Sequence, residues 1–463
     1  MLIFEGLPSS AVNSSFFYDE KRDISVKEGK LMDPAITTLC VLAVAAFLFV
    51  TELIPLAVTA MAACTALGIL GVLPSKQVYA GLSNSTVVLF GGMFVIGAAM
   101  FKTGLAEAVG LWVVNKAGTK EVPLMGAIMI VTIALSAVSS NTGTVACLMP
   151  VIVGIANAAH IPASKELMPL AVAANVGGTI TMIGTPPNVI VTGALTAAGL
   201  PSFGFFEFAL IGVPLSVIVL VYMLTIGRKT IPVKSAGAMD AAAVEAAKKE
   251  AGASDDNAPK SKTKMWISGL ILLGVVAAMA LNLKTVPLQT AAVTGAILCV
   301  ITGCLKEKEA YAGIDWVTIF LFAGMLSVAT AMDKTGAGKL IADTVVGMMG
   351  ENPNPIVLCA VLYLISNVLT QFMSNTASAA LLAPIGISIA QSIGADPKPV
   401  LMSIGIAASM AFATPMATPP NTLVLGPGGF NFNDYVKVGV PLCIITFIAS
   451  VIIIPIFWPF FPG

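Results

Sequence analysis

The sequence predicts an all-α integral membrane protein: two inverted repeats of five transmembrane helices, each with a re-entrant hairpin and a broken helix, about ten crossings in total. Three observations predict it. Apolar stretches near the roughly 20 residues that cross a bilayer recur along most of the length. The chain is 57% hydrophobic and 10% charged, with a mean hydropathy of +0.94, where a soluble domain carries about 25% charged residues. A polar tripeptide, Ser-Asn-Thr, interrupts apolar sequence at Ser140-Asn141-Thr142 and again at Ser374-Asn375-Thr376. Each copy is followed about 45 residues later by Thr-Pro-Pro-Asn, beginning at Thr185 and Thr418.

The duplication is collinear. Ile54-Pro55-Leu56 matches Val286-Pro287-Leu288, Phe90-Gly91-Gly92-Met93 matches Phe322-Ala323-Gly324-Met325, and Lys102-Thr103-Gly104 matches Lys334-Thr335-Gly336, all at a spacing of 232. The Ser-Asn-Thr copies lie 234 apart and the Thr-Pro-Pro-Asn copies 233 apart, so almost no insertion separates the halves. Internal repetition of this kind fixes the architecture before any single element is considered.

In the first half, helices are expected near 35–53, 55–73 and 85–101, then an amphipathic stretch over 104–117. An apolar pair, 122–138 and 143–159, carries Ser-Asn-Thr in its connecting turn and reads as a re-entrant hairpin. A segment over 166–195 is broken at Gly184-Thr185-Pro186-Pro187-Asn188, and a helix near 208–227 completes the half. Residues 34–227 thus form the first repeat and 265–463 the second, after a polar tail over 1–33. Residues 228–264 hold eight Lys or Arg and read as a solvated, cytoplasmic linker by the positive-inside rule, with a surface helix around Ala241, Glu245 and Lys249. With hairpins that do not cross, each half has an odd number of crossings. The second half must then sit upside down relative to the first.

The 24 basic and 24 acidic residues cancel, so no global charge draws in nucleic acid. The seven cysteines have no metal-ligand spacing and read as small core residues. No soluble catalytic domain has room to exist, and no His/Ser pairing or Asp dyad lies within the apolar segments.

The chemistry sits at the breaks. Proline lacks a backbone donor and disfavours helix at the residue before it, so Thr185-Pro186-Pro187 and Thr418-Pro419-Pro420 unwind their helices. Freed carbonyls can hold cations, and half-helix N-termini can face anions. The Ser-Asn-Thr turns add hydroxyls and carboxamides. No Lys or Arg lies within the four motifs, so a multivalent anion needs helix termini and bound cations to offset its charge; sodium suits hydroxyl, amide and carbonyl oxygens. The absence of a carboxylate there disfavours a purely proton-driven mechanism.

These paired motifs, with Thr51-Glu52-Leu53-Ile54-Pro55-Leu56-Ala57-Val58-Thr59, resemble the divalent anion/sodium symporter family, which includes the INDY dicarboxylate transporters. The likeness spans roughly residues 35–460. It implies a homodimer in a bacterial inner or plasma membrane, with a scaffold domain from helices 35–101 and 265–332. A transport domain from 122–227 and 354–460 would move as an elevator. The cargo implied is sodium with a C4-dicarboxylate such as succinate, malate or fumarate. The alternatives are sulfate or citrate, or sodium-independent dicarboxylate exchange. Carried over by position, one sodium site falls on Ser136, Ser140, Asn141 and Gly184, and the other on Thr370, Met373, Asn375 and Ala417. Substrate carboxylates would meet Ser140, Asn141, Thr142, Ser374, Asn375 and Thr376, with Thr185, Thr418 and Pro419 nearby. Many members carry a helix ahead of the first repeat, which the polar residues 1–33 cannot supply.

Other polar residues have plainer readings. His160 sits beside Pro162 at an expected interface, Glu52 reads as an interfacial or capping carboxylate, and Lys102 and Lys334 each end a helix where the C-terminal dipole favours a cation. Gly91-Gly92 and Gly177-Gly178 lack the Lys and Ser/Thr of a phosphate loop, which excludes nucleotide binding.

Overall fold

The computed structural model describes residues 33–118, 120–234, 261–281, 285–349 and 354–461. The tail and the surface helix expected around residue 241 lie outside them. The described residues include ten corresponding α-helices in each half, in the same order; the first half adds a 3-10 turn at Ala80–Ser83 and a continuation of its last helix to Thr230. The first half holds α1 (Pro34–Thr51), α2 (Leu56–Ile69), the short α3 (Ser75–Val78), α4 (Ser85–Lys102), α5 (Leu105–Ala117), α6 (Glu121–Ser136), α7 (Asn141–Ala158), α8 (Ala163–Gly177), α9 (Pro186–Ala197) and α10 (Ala209–Tyr222). The second holds α11 (Lys262–Ala280), α12 (Leu288–Ile301), the short α13 (Glu307–Ala312), α14 (Trp316–Thr335), α15 (Ala337–Met349), α16 (Pro355–Thr370), α17 (Asn375–Ser392), α18 (Pro397–Ser409), α19 (Pro419–Leu425) and α20 (Phe432–Phe457). By length and composition α1, α4, α7, α10 with its continuation to Thr230, α11, α14 and α20 can each cross a membrane, and α2, α6, α12 and α16 are shorter apolar helices.

Local sequence sets the ends. Asp33 and Asn84 cap α1 and α4 by accepting hydrogen bonds from Ala35 N and Thr86 N, and Asp315 and Asn354 do the same for α14 and α16. Glycine in the left-handed region stops α14 at Gly336 (φ 73°). Prolines occupy the first turns of α9 and α19, where their missing N–H groups have no intrahelical partner to lose.

The halves are interlocked reciprocally. α2 packs on α14 while α12 packs on α4; α9 packs on α17 and α18 while α19 packs on α7 and α8; and α10 packs on its own counterpart α20. Element i touching j′ while i′ touches j is the signature of a two-fold relation between halves. Glycines make the closest approaches. A Cβ on Gly324 would fall 2.7 Å from the Ala60 carbonyl, and one on Gly92 would fall 2.8 Å from Ala292 C. These are the same contact, repeated at the 232 spacing.

The lysines that end α4 and α14 do more than complement a helix dipole. Lys102 pairs with Glu309 on α13, and Lys334 donates to Gln77 Oε1 on α3 (2.6 Å), so each half grips the short helix of the other. Burial by itself pushes the Glu309 carboxyl up, but hydrogen bonds from Lys102 and the Lys306 N–H and the charges of both lysines outweigh it, leaving it below the usual glutamate range. A depressed folded-state value contributes stability above the unfolded value and loses it as pH falls through the folded one. Thermal unfolding in detergent is therefore expected at lower temperature below about pH 4 than at pH 7. The drop should shrink in Lys102→Met; an unchanged drop would show that the pair contributes nothing.

The first residues of the expected linker are held in place. Lys165 Nζ donates to the carbonyls of Arg228 (2.6 Å) and Ile231 (2.8 Å), Ser164 Oγ donates to Pro232 O (2.8 Å), and Lys234 pairs with Asp434. The chain leaving α10 is thereby tied to the start of α8. Of the cysteines, Cys64, Cys299, Cys304 and Cys359 are buried as expected, whereas Cys40 is exposed.

Candidate functional site

Each hairpin turn is a helix N-terminus. Ser140 caps α7, its Oγ accepting from Gly143 N (3.3 Å), and Ser374 occupies the same position ahead of α17. Each proline break is another: Thr185 and Thr418 lie in extended backbone ahead of α9 and α19, and Thr418 Oγ1 accepts from Asn421 N (3.4 Å). All four capping residues line one cavity of about 1040 Å³. The N-termini of α7, α9 and α17, helices of 18, 12 and 18 residues, each carry about half a positive charge, and the seven-residue α19 adds less. Among the described residues lining the cavity there is no Lys, Arg or His; its charged residues are Glu52 and Asp315. A smaller cleft of about 460 Å³, lined by Leu195, Leu200 and Lys398 among others, lies away from all four turns.

The predicted residues gather here. Ser140, Asn141, Thr142, Gly184, Thr185, Met373, Ser374, Asn375, Thr376, Ala417, Thr418 and Pro419 line the cavity; Ser136 and Thr370 stand fully buried behind it. Ser136 Oγ lies 2.5 Å from Asn141 Oδ1 and 2.8 Å from Ala174 O, and Thr370 Oγ1 lies 2.5 Å from Asn375 Oδ1 and 2.7 Å from Ala408 O, so each hydroxyl's single proton serves one of its two oxygen neighbours. The repeat is reproduced to the atom. On the Asn141 carboxamide, the atom next to Ser136 also lies 3.0 Å from Gly184 O and 3.2 Å from Ala174 O. As an oxygen it faces acceptors, and as a nitrogen it donates to them; a cation among these oxygens satisfies the first arrangement.

The final residue of Thr-Pro-Pro-Asn has a role that its motif did not disclose. Asn188 Nδ2 donates to Thr181 O (2.9 Å) and Gly178 O (3.4 Å), and Asn421 Nδ2 to Thr414 O and Ala411 O (both 2.9 Å). These amides tie each unwound loop to the helix after it, satisfying carbonyls that hydrocarbon would otherwise penalise. Two buried amides that sequence reading missed brace the second loop alone. Asn367 Nδ2 donates to Ala407 O (3.1 Å) and Met410 O (2.9 Å), and Gln371 Oε1 accepts from Ala413 N (2.9 Å). Ile133 and Ala137 occupy their places in the first half, where Gly177 packs on the Ile133 backbone instead. Their polarity inside an apolar run was the available signal.

Glu52 is not only a cap. Its N–H closes α1 onto Leu48 O (2.9 Å), its backbone is left-handed (φ 49°), and its residue lines the cavity. His160 also has left-handed backbone (φ 56°) and is exposed, as its interfacial reading implies.

A family model described as citrate transporter matches residues 46–400, most of the chain. The chain belongs to the citrate transporter family. The likeness to the divalent anion/sodium symporters read from the paired motifs agrees with its relatives. An uncharacterized transporter of Haemophilus influenzae is 30% identical over 91% of each chain. YfbS of Escherichia coli, also an uncharacterized transporter, is 26% identical over 92% of this chain and 99% of its own. The sodium-dependent dicarboxylate transporter SdcS of Staphylococcus saprophyticus is 26% identical over 92% of this chain and 86% of its own. Among solved structures, the YdaH transporter of Alcanivorax borkumensis superposes with a TM-score of 0.63 over 92% of this chain and 98% of its own, at 13% identity. MtrF of Neisseria gonorrhoeae gives 0.60 over 94% and 98%, at 15% identity. At those identities the structural likeness speaks for the fold. This member of the family is a transporter, not an enzyme, and a multi-pass protein of a bacterial cell membrane.

Proposed function

We propose that the protein is a sodium-coupled symporter of C4-dicarboxylates such as succinate, malate or fumarate. The observation that carries this reading is the convergence of four helix N-termini on a cavity without a basic side chain. The partial positive charges of these termini complement an anion with charge at both ends. The oxygens behind them, at Ser136, Asn141 and Gly184 and at Thr370 and Asn375, are hard ligands suited to sodium rather than to a carboxylate. The sodium-dependent dicarboxylate transporter among the relatives supports the same cargo. In this reading the substrate contacts Ser140, Asn141, Thr142, Ser374, Asn375 and Thr376, with Thr185, Thr418 and Pro419 beside it. Met373 and Ala417 complete the second sodium site through backbone. Helices 35–101 and 265–332, that is α1 to α4 and α11 to α14, serve as scaffold in a homodimer. The hairpins and broken helices move against it as an elevator.

Uptake of labelled succinate into proteoliposomes, with and without a sodium gradient and with sulfate and citrate as competitors, tests the proposal. The expected result is saturable, sodium-driven uptake. Asn141→Ala and Asn375→Ala should each weaken it about ten- to a hundredfold, the scale of a hydrogen bond to a charged group. Uptake untouched by either change would remove the assigned site. Equal uptake without a gradient, accelerated by internal substrate, would identify an exchanger, and preferential flux of sulfate or citrate would reassign the cargo.

A further inference from the structure

The chain that leaves α10 supplies a lysine that only one half owns. The turns leading into α10 and α20 match at a spacing of 227: Gly204 with Asn431, Glu207 with Asp434 and Phe208 with Tyr435. In each turn the acid accepts from the backbone N–H three residues earlier, Glu207 Oε2 from Gly204 N (2.7 Å) and Asp434 Oδ2 from Asn431 N (2.9 Å). Glu207 is answered by Lys398, the second residue of α18, at 3.2 Å. The second residue of α8 is Ser164, which carries no charge. Its Oγ accepts from Lys234 N (3.1 Å), and it is Lys234 that pairs with Asp434.

The two acids differ in what else supports them. Glu207 also accepts from Trp458 Nε1 (2.7 Å) and is partly exposed, whereas Asp434 is nearly buried. Taking the counter-charge from a buried ion costs more than taking it from an exposed one. Without Lys234, Asp434 turns to solvent and gives up Asn431 N, which opens the turn that sets the start of α20.

The next residue carries this to the cavity. Tyr435 is fully buried and its hydroxyl donates to Asn421 O (2.6 Å), in the first turn of α19. Asn421 is the hub of the second break. Its Nδ2 holds the carbonyls of Ala411 and Thr414, its Oδ1 accepts from Asn175 Nδ2 (3.1 Å), and its N–H donates to Oγ1 of Thr418, which lines the cavity. In the first half Phe208 has no hydroxyl to offer, and Asn188 O accepts instead from Thr192 Oγ1 of its own helix (2.7 Å). The first break is braced from within, and the second from outside.

We propose that Lys234 is a positioning residue for the substrate site, acting through Asp434 and Tyr435 on the Asn421 carbonyl and so on Thr418. This rests on the reading of the second break as part of the substrate site given above. It adds that substrate affinity depends on the chain after α10 being seated on α8.

The test compares Lys234→Gln and Tyr435→Phe with Lys398→Gln, the matched ion pair whose turn has no tyrosine. Uptake is measured in proteoliposomes with whichever of labelled succinate, citrate or sulfate the unaltered protein carries. The first two variants are expected to raise the half-saturating cargo concentration about three- to tenfold at an unchanged maximal rate. Their combination should do no worse than the stronger single change, because both break one chain of contacts. Lys234→Arg should restore the unaltered value, and Lys398→Gln should leave half-saturation where it was. Half-saturation unmoved by Lys234→Gln or Tyr435→Phe, moved as far by Lys398→Gln, or multiplied in the combined variant would overturn the assignment. Should Lys234→Gln not give a monodisperse protein, Asp434→Asn breaks the pair from its other side and takes its place. Uptake of none of the three cargoes would overturn the substrate reading alone. Amide hydrogen exchange over residues 418–425 then decides the coupling: faster exchange in Lys234→Gln than in Lys398→Gln supports it, and equal exchange overturns it.

Discussion

Gly184→Ala is expected to raise the sodium concentration needed for uptake about a hundredfold or more, in a protein that still folds. A Cβ at Gly184 would lie 2.4 Å from Gly178 O and 2.9 Å from Gly178 Cα, both backbone, so no rotamer change relieves the clash. The loop must open. Opening carries Gly184 O out of its place 3.0 Å from the Asn141 carboxamide, and with it an oxygen of the first proposed cation site. Gly178 is crowded from the other side: a Cβ there would lie 2.6 Å from the Asn141 side-chain Oδ1 and 2.9 Å from Gly184 O. One displaced charged contact costs about 1.5–3 kcal/mol, and two ligands moving together push sodium affinity down beyond the hundredfold scale. The second half holds Ala411 and Ala417 at the matching positions, so its loop is already built around methyl groups. Ala417→Gly is the matched comparison and should lower uptake far less. The measurement is the sodium concentration for half-maximal uptake, together with monodispersity in detergent. Wild-type sodium dependence in Gly184→Ala would place the first cation site elsewhere.

This asymmetry shows where sequence reading succeeds and where it stops. Helices, hairpin turns and breaks were legible because hydrocarbon penalises polar backbone so heavily that Ser-Asn-Thr and Thr-Pro-Pro-Asn could survive only around a cavity. Duplication made that reading sharp, since it tied Asn141 to Asn375 and Thr185 to Thr418 before any coordinates. The contacts between halves were not legible. Lys102 and Glu309 lie 207 residues apart, and nothing near Lys102 distinguishes a helix-ending cation from a clamp on α13. Asn175, Asn367 and Gln371 were hidden for a related reason. A lone amide in an apolar run looks the same whether it braces a loop or faces a ligand, and only its partners tell the two apart. The motifs marked what the halves share, whereas these braces lie in what they do not.

Gly324→Val is expected to cost the protein its stability, and Gly91→Val is not. On α14, a Cβ at Gly324 would meet the Ala60 backbone of α2 at 2.7 Å, whereas a Cβ at Gly91 on α4 has nothing within 4 Å. Between membrane helices there is little hydrophobic gain from contact, so their association relies on close backbone approach at small residues. Valine at Gly324 forces α2 and α14 apart along their whole crossing. Overpacking costs about 1–3 kcal/mol in general, and the upper end or beyond is expected where the obstacle is backbone. The two-fold relation sharpens the test, because Gly92 on α4 meets Ala292 of α12 in the same way. Gly92→Val should therefore lower the unfolding temperature about as much as Gly324→Val, and the double variant should not be recovered as a monodisperse protein. Transport should fail in step with stability, since residues of α4 and α14 such as Phe90, Met93 and Leu321 line the cavity together with the hairpin turns. A Gly324→Val protein that unfolds at the wild-type temperature would show that the seam yields, and a seam that yields cannot serve as the fixed body against which the hairpins move.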